Sequence, residues 1–425
     1  MAYSSRLAAL FVALFVALIA TSSAQASQLQ DLYQQALVND ANYLAAQHSL
    51  NAKLQIIPQA QSALRPQVSA NFNQSLPMDA RADSHNYSVQ LALPLRLDAY
   101  YGMKVAQQSA ASARTSFKKS EQSLIFSVIE RYFAVLKQQR QLASSQAELK
   151  AIQQRLKQTQ QQVDVGLASN IQLQDMQANV QQLQVALLQV QQNLNLARAD
   201  LENLTNQPLA GKLANLSADF GPHLMDNQSL QAWFQLANAN NLDIVSNGFG
   251  TQQAYHNYQA KDVGLYPKAT ISLAQAFNSA LPTKDSTSFT IAVSGTLYDG
   301  GLNKAQTMEA QENWRASQQQ GAAIQRATEQ QVRRWHQALE TNRQQIKAYT
   351  QLLASVQSSL SGKTKEYELG LRDVSDLLDA EKLVFSAQRN LANARLDLVL
   401  NQLRLKQVSG VLSNHDLVQL DSWLK

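Results

Sequence analysis

"YELGLRDVSDLLDAE", residues 367–381, has a relative earlier in the chain, "VDVGLASNIQLQDMQ" at 163–177. Gly166 and Gly370 stand 204 residues apart (370 − 166), and a shift by that interval brings the two halves of the chain into register. Before the first glycine, Val128, Val135, Leu142, Leu149, Leu156 and Val163 recur every seven residues. Their counterparts Val332, Leu339, Ile346, Leu353, Leu360 and Tyr367 do the same. After the glycines the stripe resumes in alternating steps of three and four. It runs from Leu173 through Met176, Val180 and Leu183 to Leu204, and from Leu377 through Ala380, Val384 and Ala387 to Val408. Only Asn401 breaks it. An apolar period of 3.5 sustained over several heptads predicts long helices packed as coiled coils with a left-handed supercoil.

Each glycine follows a helical stretch and suits the left-handed position just past a helix end. Ser169 and Asp373 then read as N-caps of the return helices. The pattern predicts two antiparallel helical hairpins, turning at Gly166 and Gly370. The incoming helices cover about 102–165 and 302–369, roughly 95 Å each at 1.5 Å per residue. Helices of that length suit a part that spans a gap better than one that encloses a substrate.

Each half also holds two stretches of period two, predicting strands at about 66–76, 86–97, 267–278 and 287–298. Val68, Ala70 and Phe72 alternate with Gln67, Ser69, Asn71 and Asn73. Val89, Leu91 and Leu93, then Ala269, Ile271 and Leu273, then Phe289, Ile291 and Val293 alternate with small or polar residues in the same way. An apolar face backed by a small polar face fits a membrane barrel strand with a wet lumen. A half-buried soluble sheet alternates likewise; the context favours the membrane. Tyr100, Tyr101, Tyr266 and Tyr298 lie at the strand ends nearest the helices, where an interfacial girdle belongs. Four strands leave two open edges, which lipid does not tolerate, and membrane barrels need about eight strands or more. Several chains must therefore share one barrel, and three would give twelve strands.

Arg6 precedes the apolar run "LAALFVALFVALIA", and "SAQA" ends at Ala26, so residues 1–26 read as a secretory signal peptide. The mature chain divides into a first structural repeat, 27–225, and a second, 226–425. Each has a helix, two strands, a long helix and a hairpin. The sequence has no cysteine, which excludes disulfides, thiol catalysis, thiolate metal sites and a lipidated N-terminal cysteine. Its formal net charge is +5, with the basic residues scattered, so no nucleic-acid partner is expected. The six histidines are dispersed without metal-ligand spacing. "GFG" at 248–250 lacks the third glycine of a dinucleotide loop, and no serine sits in a nucleophile elbow. No enzyme, metal or cofactor is expected.

Three stretches carry a family resemblance: "DLYQQALVNDANYLAAQ" at 31–47, "LYDGG" at 297–301, and "YELGLRDVSDLLDAEKLVFSAQRNLANARLDLVLNQLRLKQVSG" at 367–410. Over essentially the whole mature chain the sequence resembles the TolC family of outer-membrane channels. The resemblance implies a homotrimer with a twelve-stranded barrel in outer-membrane lipid and a helical tunnel in the periplasm. It implies multidrug efflux, type I protein secretion or both, through a passive duct. The duct's tips open like an iris when a periplasmic adaptor (membrane fusion) protein and an inner-membrane transporter dock. A periplasmic coiled-coil adaptor or scaffold is the alternative, but it calls for one hairpin set in compact β domains, and here two stand in tandem.

Asp376 and Asp379 match the family's two aspartates at the tunnel constriction. Three residues apart, they share a helix face, and three chains would place six carboxylates around the pore, a ring that attracts cations. Acids in a helix's first turn are also favoured by the helix dipole. Tyr367 and Arg372 match positions that hold the tips shut. Their partners depart from the family pattern: Gln172 stands where an aspartate is found and Arg155 where a glutamine is found. Asp175, one turn after Gln172, is the candidate substitute acceptor.

Overall fold

The computed structural model describes residues 28–75, 84–209, 211–216, 228–278, 285–369 and 371–424. The expected signal peptide and Gly370 lie outside them. In chain order the elements are α1 (Gln28–Asn39), α2 (Ala41–Leu54), α3 (Ile56–Ser62), β1 (Gln67–Ser75), β2 (Ser84–Leu95), α4 (Leu97–Asp164) and α5 (Asn170–Thr205). There follow α6 (Leu230–Asn240), α7 (Leu242–Asp262), β3 (Lys268–Asn278), β4 (Ser286–Ser294), α8 (Leu302–Glu368), α9 (Val374–Val408) and α10 (Asn414–Asp421). They form two compact units. One comprises the described parts of Met1–Leu44, Glu121–Ala237 and Glu329–Lys425; the other comprises Ala45–Ser120 and Asn238–Thr328.

The second unit holds one antiparallel sheet in the order β1-β2-β3-β4. Its register settles which residues share a face. Val68 pairs with Leu91, Leu91 with Leu273 and Leu273 with Phe289. One step along, Gln67 pairs with Ala92, Ala92 with Ser272 and Ser272 with Thr290. The first row belongs to a continuous apolar face that includes Leu93, Ile271 and Ile291; the second belongs to a face of small and polar residues. Most of the apolar face is exposed on the protomer, with Val68, Phe72, Leu273, Phe289, Ile291 and Val293 all open. Toward one end of the sheet this face carries Phe72, Tyr87 and Phe277, with the rings of Phe72 and Tyr87 5.0 Å apart. Tyr100 and Tyr101 stand beyond the opposite end.

Asp98, in the first turn of α4, accepts from Arg96 at 2.6 Å and lies 3.4 Å from the Lys268 ammonium. The hydrogen bond from Arg96 is the main reason its carboxyl is held down at about 2. β4 stops at Ser294, short of the expected 298. The residues "DGG" explain the difference: Gly300 and Gly301 take φ of 71° and 89°, and Asp299 accepts from the backbone N–H groups of Gly301 and Asn303 at 3.0 and 2.7 Å. The chain there is turning into α8.

In the first unit the heptad stripes are the core. Val128, Val135, Val332, Leu339 and Ile346 are buried together with Tyr132, Phe133, Leu398 and Leu405. Asn401, the flaw in the stripe, donates across the seam to the buried Asn342, which in turn donates to Gln345 at 3.0 Å. Gly166 adopts φ 76°. Gly166 N–H bonds to Val163 O at 3.0 Å and Leu167 N–H to Gln162 O at 2.7 Å, the paired closure of a Schellman turn. At the second tip Leu371 N–H bonds to Glu366 O at 2.9 Å. Residues 211–216 cross between helices, with Ala214 O accepting from the Tyr132 hydroxyl at 2.9 Å and Leu216 bridging to Leu424. Among the described residues no helix is long and apolar enough to cross a membrane, which says nothing of a barrel.

Candidate functional site at the hairpin tips

Both return helices begin on the capping residues the sequence suggests, and the caps are joined. Ser169 and Gln172 form a capping box, with Ser169 Oγ accepting from Gln172 N–H at 3.2 Å and Gln172 Oε1 from Ser169 N–H at 3.0 Å. Gln172 Nε2 donates to Asp373 Oδ1 at 3.1 Å, and the same oxygen accepts from Val374 N–H at 2.6 Å. Behind the caps Ile152, Met176, Val180, Val374 and Leu378 form a separate buried cluster, with Tyr367 packed against it. This cluster holds the starts of α5 and α9 against the end of α4.

Asp376 and Asp379 project away from that cluster. Both are exposed, while Val374, Leu377, Leu378 and Ala380 around them are buried. Arg372 donates to Asp376 Oδ2 at 3.3 Å and to Glu366, within its own hairpin. The bond to Glu366 is the chief reason its guanidinium is held still more firmly protonated than usual. Tyr367 donates its hydroxyl to Gln162 Oε1 at 3.1 Å, across to the first hairpin. Arg155 lies 5.9 Å from the centre of the Tyr367 ring and pairs with Glu381 at 3.2 Å. Asp175 contributes its backbone carbonyl to Asn179; the Arg372 guanidinium is held elsewhere. A cleft of about 470 Å³ separates the tips, lined by Thr159, Gln162, Leu167, Gln172, Tyr367 and Arg372 among others. The tips also expose Val165, Leu167, Ile171, Leu369 and Leu371.

Structure thus joins Tyr367 and Arg155 in one cluster, Gln172 and Asp373 in another, and Arg372 and Asp376 in a third. Gln162, Glu366 and Glu381 are the partners that sequence reasoning missed. The first is one glutamine among many. The second was in view, because Glu366 stands six residues before Arg372, and Leu371 N–H closes back on Glu366 O.

Two long helical hairpins and a two-faced, open-edged sheet fit one class, the subunit of a membrane channel. The protein-family model for outer membrane efflux proteins matches residues 32–207 and 233–411. The chain is 26% identical over 419 residues to outer membrane protein TolC of Vibrio cholerae, covering 95% of each chain. It is 26% identical over 424 residues to the alkaline protease secretion protein AprF of Pseudomonas aeruginosa, covering 94% of this chain and 88% of the relative. Its fold matches the outer membrane channel CmeC of Campylobacter jejuni with a TM-score of 0.79 at 13% identity, over 93% of this chain and 90% of the other. The chain belongs to the outer membrane efflux protein family. It is an outer-membrane efflux or secretion channel that extends into the periplasm, and its relatives are channels, not enzymes.

Proposed function

We propose that three copies of this chain close one twelve-stranded barrel and act as a passive duct, gated at the hairpin tips by Tyr367, Arg372, Gln172, Arg155 and Asp175 and narrowed by a ring of Asp376 and Asp379. Energy and substrate choice come from an inner-membrane transporter and a periplasmic adaptor, and the exposed apolar tips suit the docking of such an adaptor. The sheet supports the shared barrel, because its two edges would otherwise stand unpaired in lipid. Contacts between positions close to one repeat interval apart support the two structural repeats, 27–225 and 226–425: Gln162 meets Tyr367 205 residues on, Gln172 meets Asp373 201 on and Asn179 meets Lys382 203 on. Relatives named for protease secretion and for efflux support a duct that serves either cargo.

The observation that carries the constriction is the exposure of Asp376 and Asp379 on the face of α9 opposite its packed seam. A ring of carboxylates there would select cations and bind a multivalent one. The test is conductance of the purified trimer in a planar bilayer, with hexaamminecobalt(III) on the periplasmic side. Cation-selective steps blocked by the trivalent ion, and freed of block by Asp376→Ala with Asp379→Ala, are expected. Block that persists in the double variant would remove these residues from the constriction.

A further inference from the structure

We infer that an alternating charge ladder between α4 and α9 sets the axial register of the second hairpin against the first, with Arg155, its last rung, passing that register to the tip. Among the described residues, four ion pairs join these helices. Glu130 pairs with Arg404 at 3.0 Å, Lys137 with Asp397 at 2.5 Å, Glu148 with Arg389 at 3.3 Å and Arg155 with Glu381 at 3.2 Å. Numbers rise on α4 as they fall on α9, as in an antiparallel pair. The α4 rungs are separated by 7, 11 and 7 residues, all close to whole numbers of turns, so they share one face. The signs alternate: acid, base, acid, base on α4, and the reverse on α9.

The packed seam does not select this register by itself. Apolar contact is non-directional, and a slide of about two turns brings another heptad of similar residues into place. The ladder distinguishes such registers. Displacing α9 by about two turns one way brings Glu130 toward Asp397, Lys137 toward Arg389 and Glu148 toward Glu381. Displacement the other way brings Lys137 toward Arg404, Glu148 toward Asp397 and Arg155 toward Arg389. Both slides replace attraction with three like-charge encounters. Single surface ion pairs add little to stability, so the arrangement acts by excluding alternatives. The two rungs nearest the tip are the more enclosed: the side chains of Glu148 and Glu381 are 10% and 12% exposed, against 49% for Glu130. Arg155 also covers the Tyr367 ring, whose hydroxyl is held by Gln162. The second hairpin is therefore free to swing about the ladder but not to slide along it. This holds wherever the narrowest point of the tunnel lies.

The test uses the full chain in lipid. The absence of cysteine allows spin labels at Gln146→Cys and Gln388→Cys, both exposed positions, with labelled protomers diluted among unlabelled ones. The wild-type ladder should give one distance. A like-signed ladder (Lys137→Glu, Arg155→Glu, Asp397→Lys, Glu381→Lys) keeps an opposite pair on every rung and removes only the alternation. It should give a second population, from a slide of roughly 10–12 Å. The exchange Glu148→Arg with Arg389→Glu also breaks the alternation, using two substitutions, and should do the same; it carries the test alone where the fourfold variant fails to assemble. A single wild-type distance in whichever variant assembles would overturn the inference.

Discussion

Replacing Leu273 with lysine tests the two-faced sheet at its most sensitive point. On β3 the apolar face runs Ala269, Ile271, Leu273, Gln275, Phe277, so Leu273 lies four residues from either end of the row. At 3.4 Å per residue that is about 14 Å along the strand, or roughly 10 Å of depth with a tilt near 40°. Leu273 therefore sits near the bilayer midplane, where a lipid-facing lysine costs about 2–4 kcal/mol. Three protomers bring the cost to about 6–12 kcal/mol, comparable to the whole stability of a typical domain. Ser272→Lys, one residue away on the polar face, should cost close to nothing. Val293→Lys keeps the apolar face but lies opposite Ala269 at the rim, where the cost falls to about 0–1 kcal/mol. The assay is the yield of heat-stable trimer in outer membranes, followed by the denaturant midpoint of trimer folded into vesicles. Leu273→Lys should lose nearly all trimer, with the other two near wild type. Equal losses at 272 and 273 would refute the assignment of faces. Equal losses at 273 and 293 would refute lipid as the covering, because a protein core imposes no such depth gradient.

Tyr367→Phe keeps the ring under Arg155 and deletes only the bond to Gln162; at about 0.5–1.5 kcal/mol per protomer, three concerted losses should raise the open population about ten- to a thousandfold. Single-channel open probability measures this, and an unchanged value would discard Tyr367 as part of the lock. Asn401→Leu should lower the trimer's thermal stability by about 1–2 kcal/mol, because it strips a buried partner from Asn342. Asn342→Leu with Asn401→Leu should recover it or exceed it, and a double variant weaker than the single would show that the amide pair is not the cause. Asp98 has its carboxyl pKa lowered from 3.8 to about 2. Its contribution is therefore whole above pH 4 and lost as pH falls from about 4 toward 2. Arg96→Ala should flatten the acid limb of the stability profile over that window alone, and a change near pH 7 would contradict the assignment.

The residues that follow a period were legible because a period reports a face. Val332, Leu339 and Ile346 are buried as the heptads require, and Val68, Leu91, Leu273 and Phe289 line up across four strands as alternation requires. Gly166 was legible because a helix that ends in mid-stripe needs a left-handed residue. What a period does not report is which helix lies beside which, and at what rotation. Asn401 stood out as a flaw, yet its partner Asn342 lies off the seven-residue stripe. Arg155 could be matched to a position, but its acceptor Glu381 lies on the far hairpin, 226 residues on, and is fixed only once α4 and α9 are adjacent. Arg372 shows the limit most clearly. The family resemblance points to an acceptor on the first hairpin, where Gln172 stands in place of the expected aspartate. In the fold, Leu371 N–H closes on Glu366 O and turns the chain back on itself, so the Arg372 guanidinium reaches the Glu366 carboxylate before any group across the cleft. A contact made by a turn's own closure takes precedence over one that requires two hairpins to meet, because it orders far less chain.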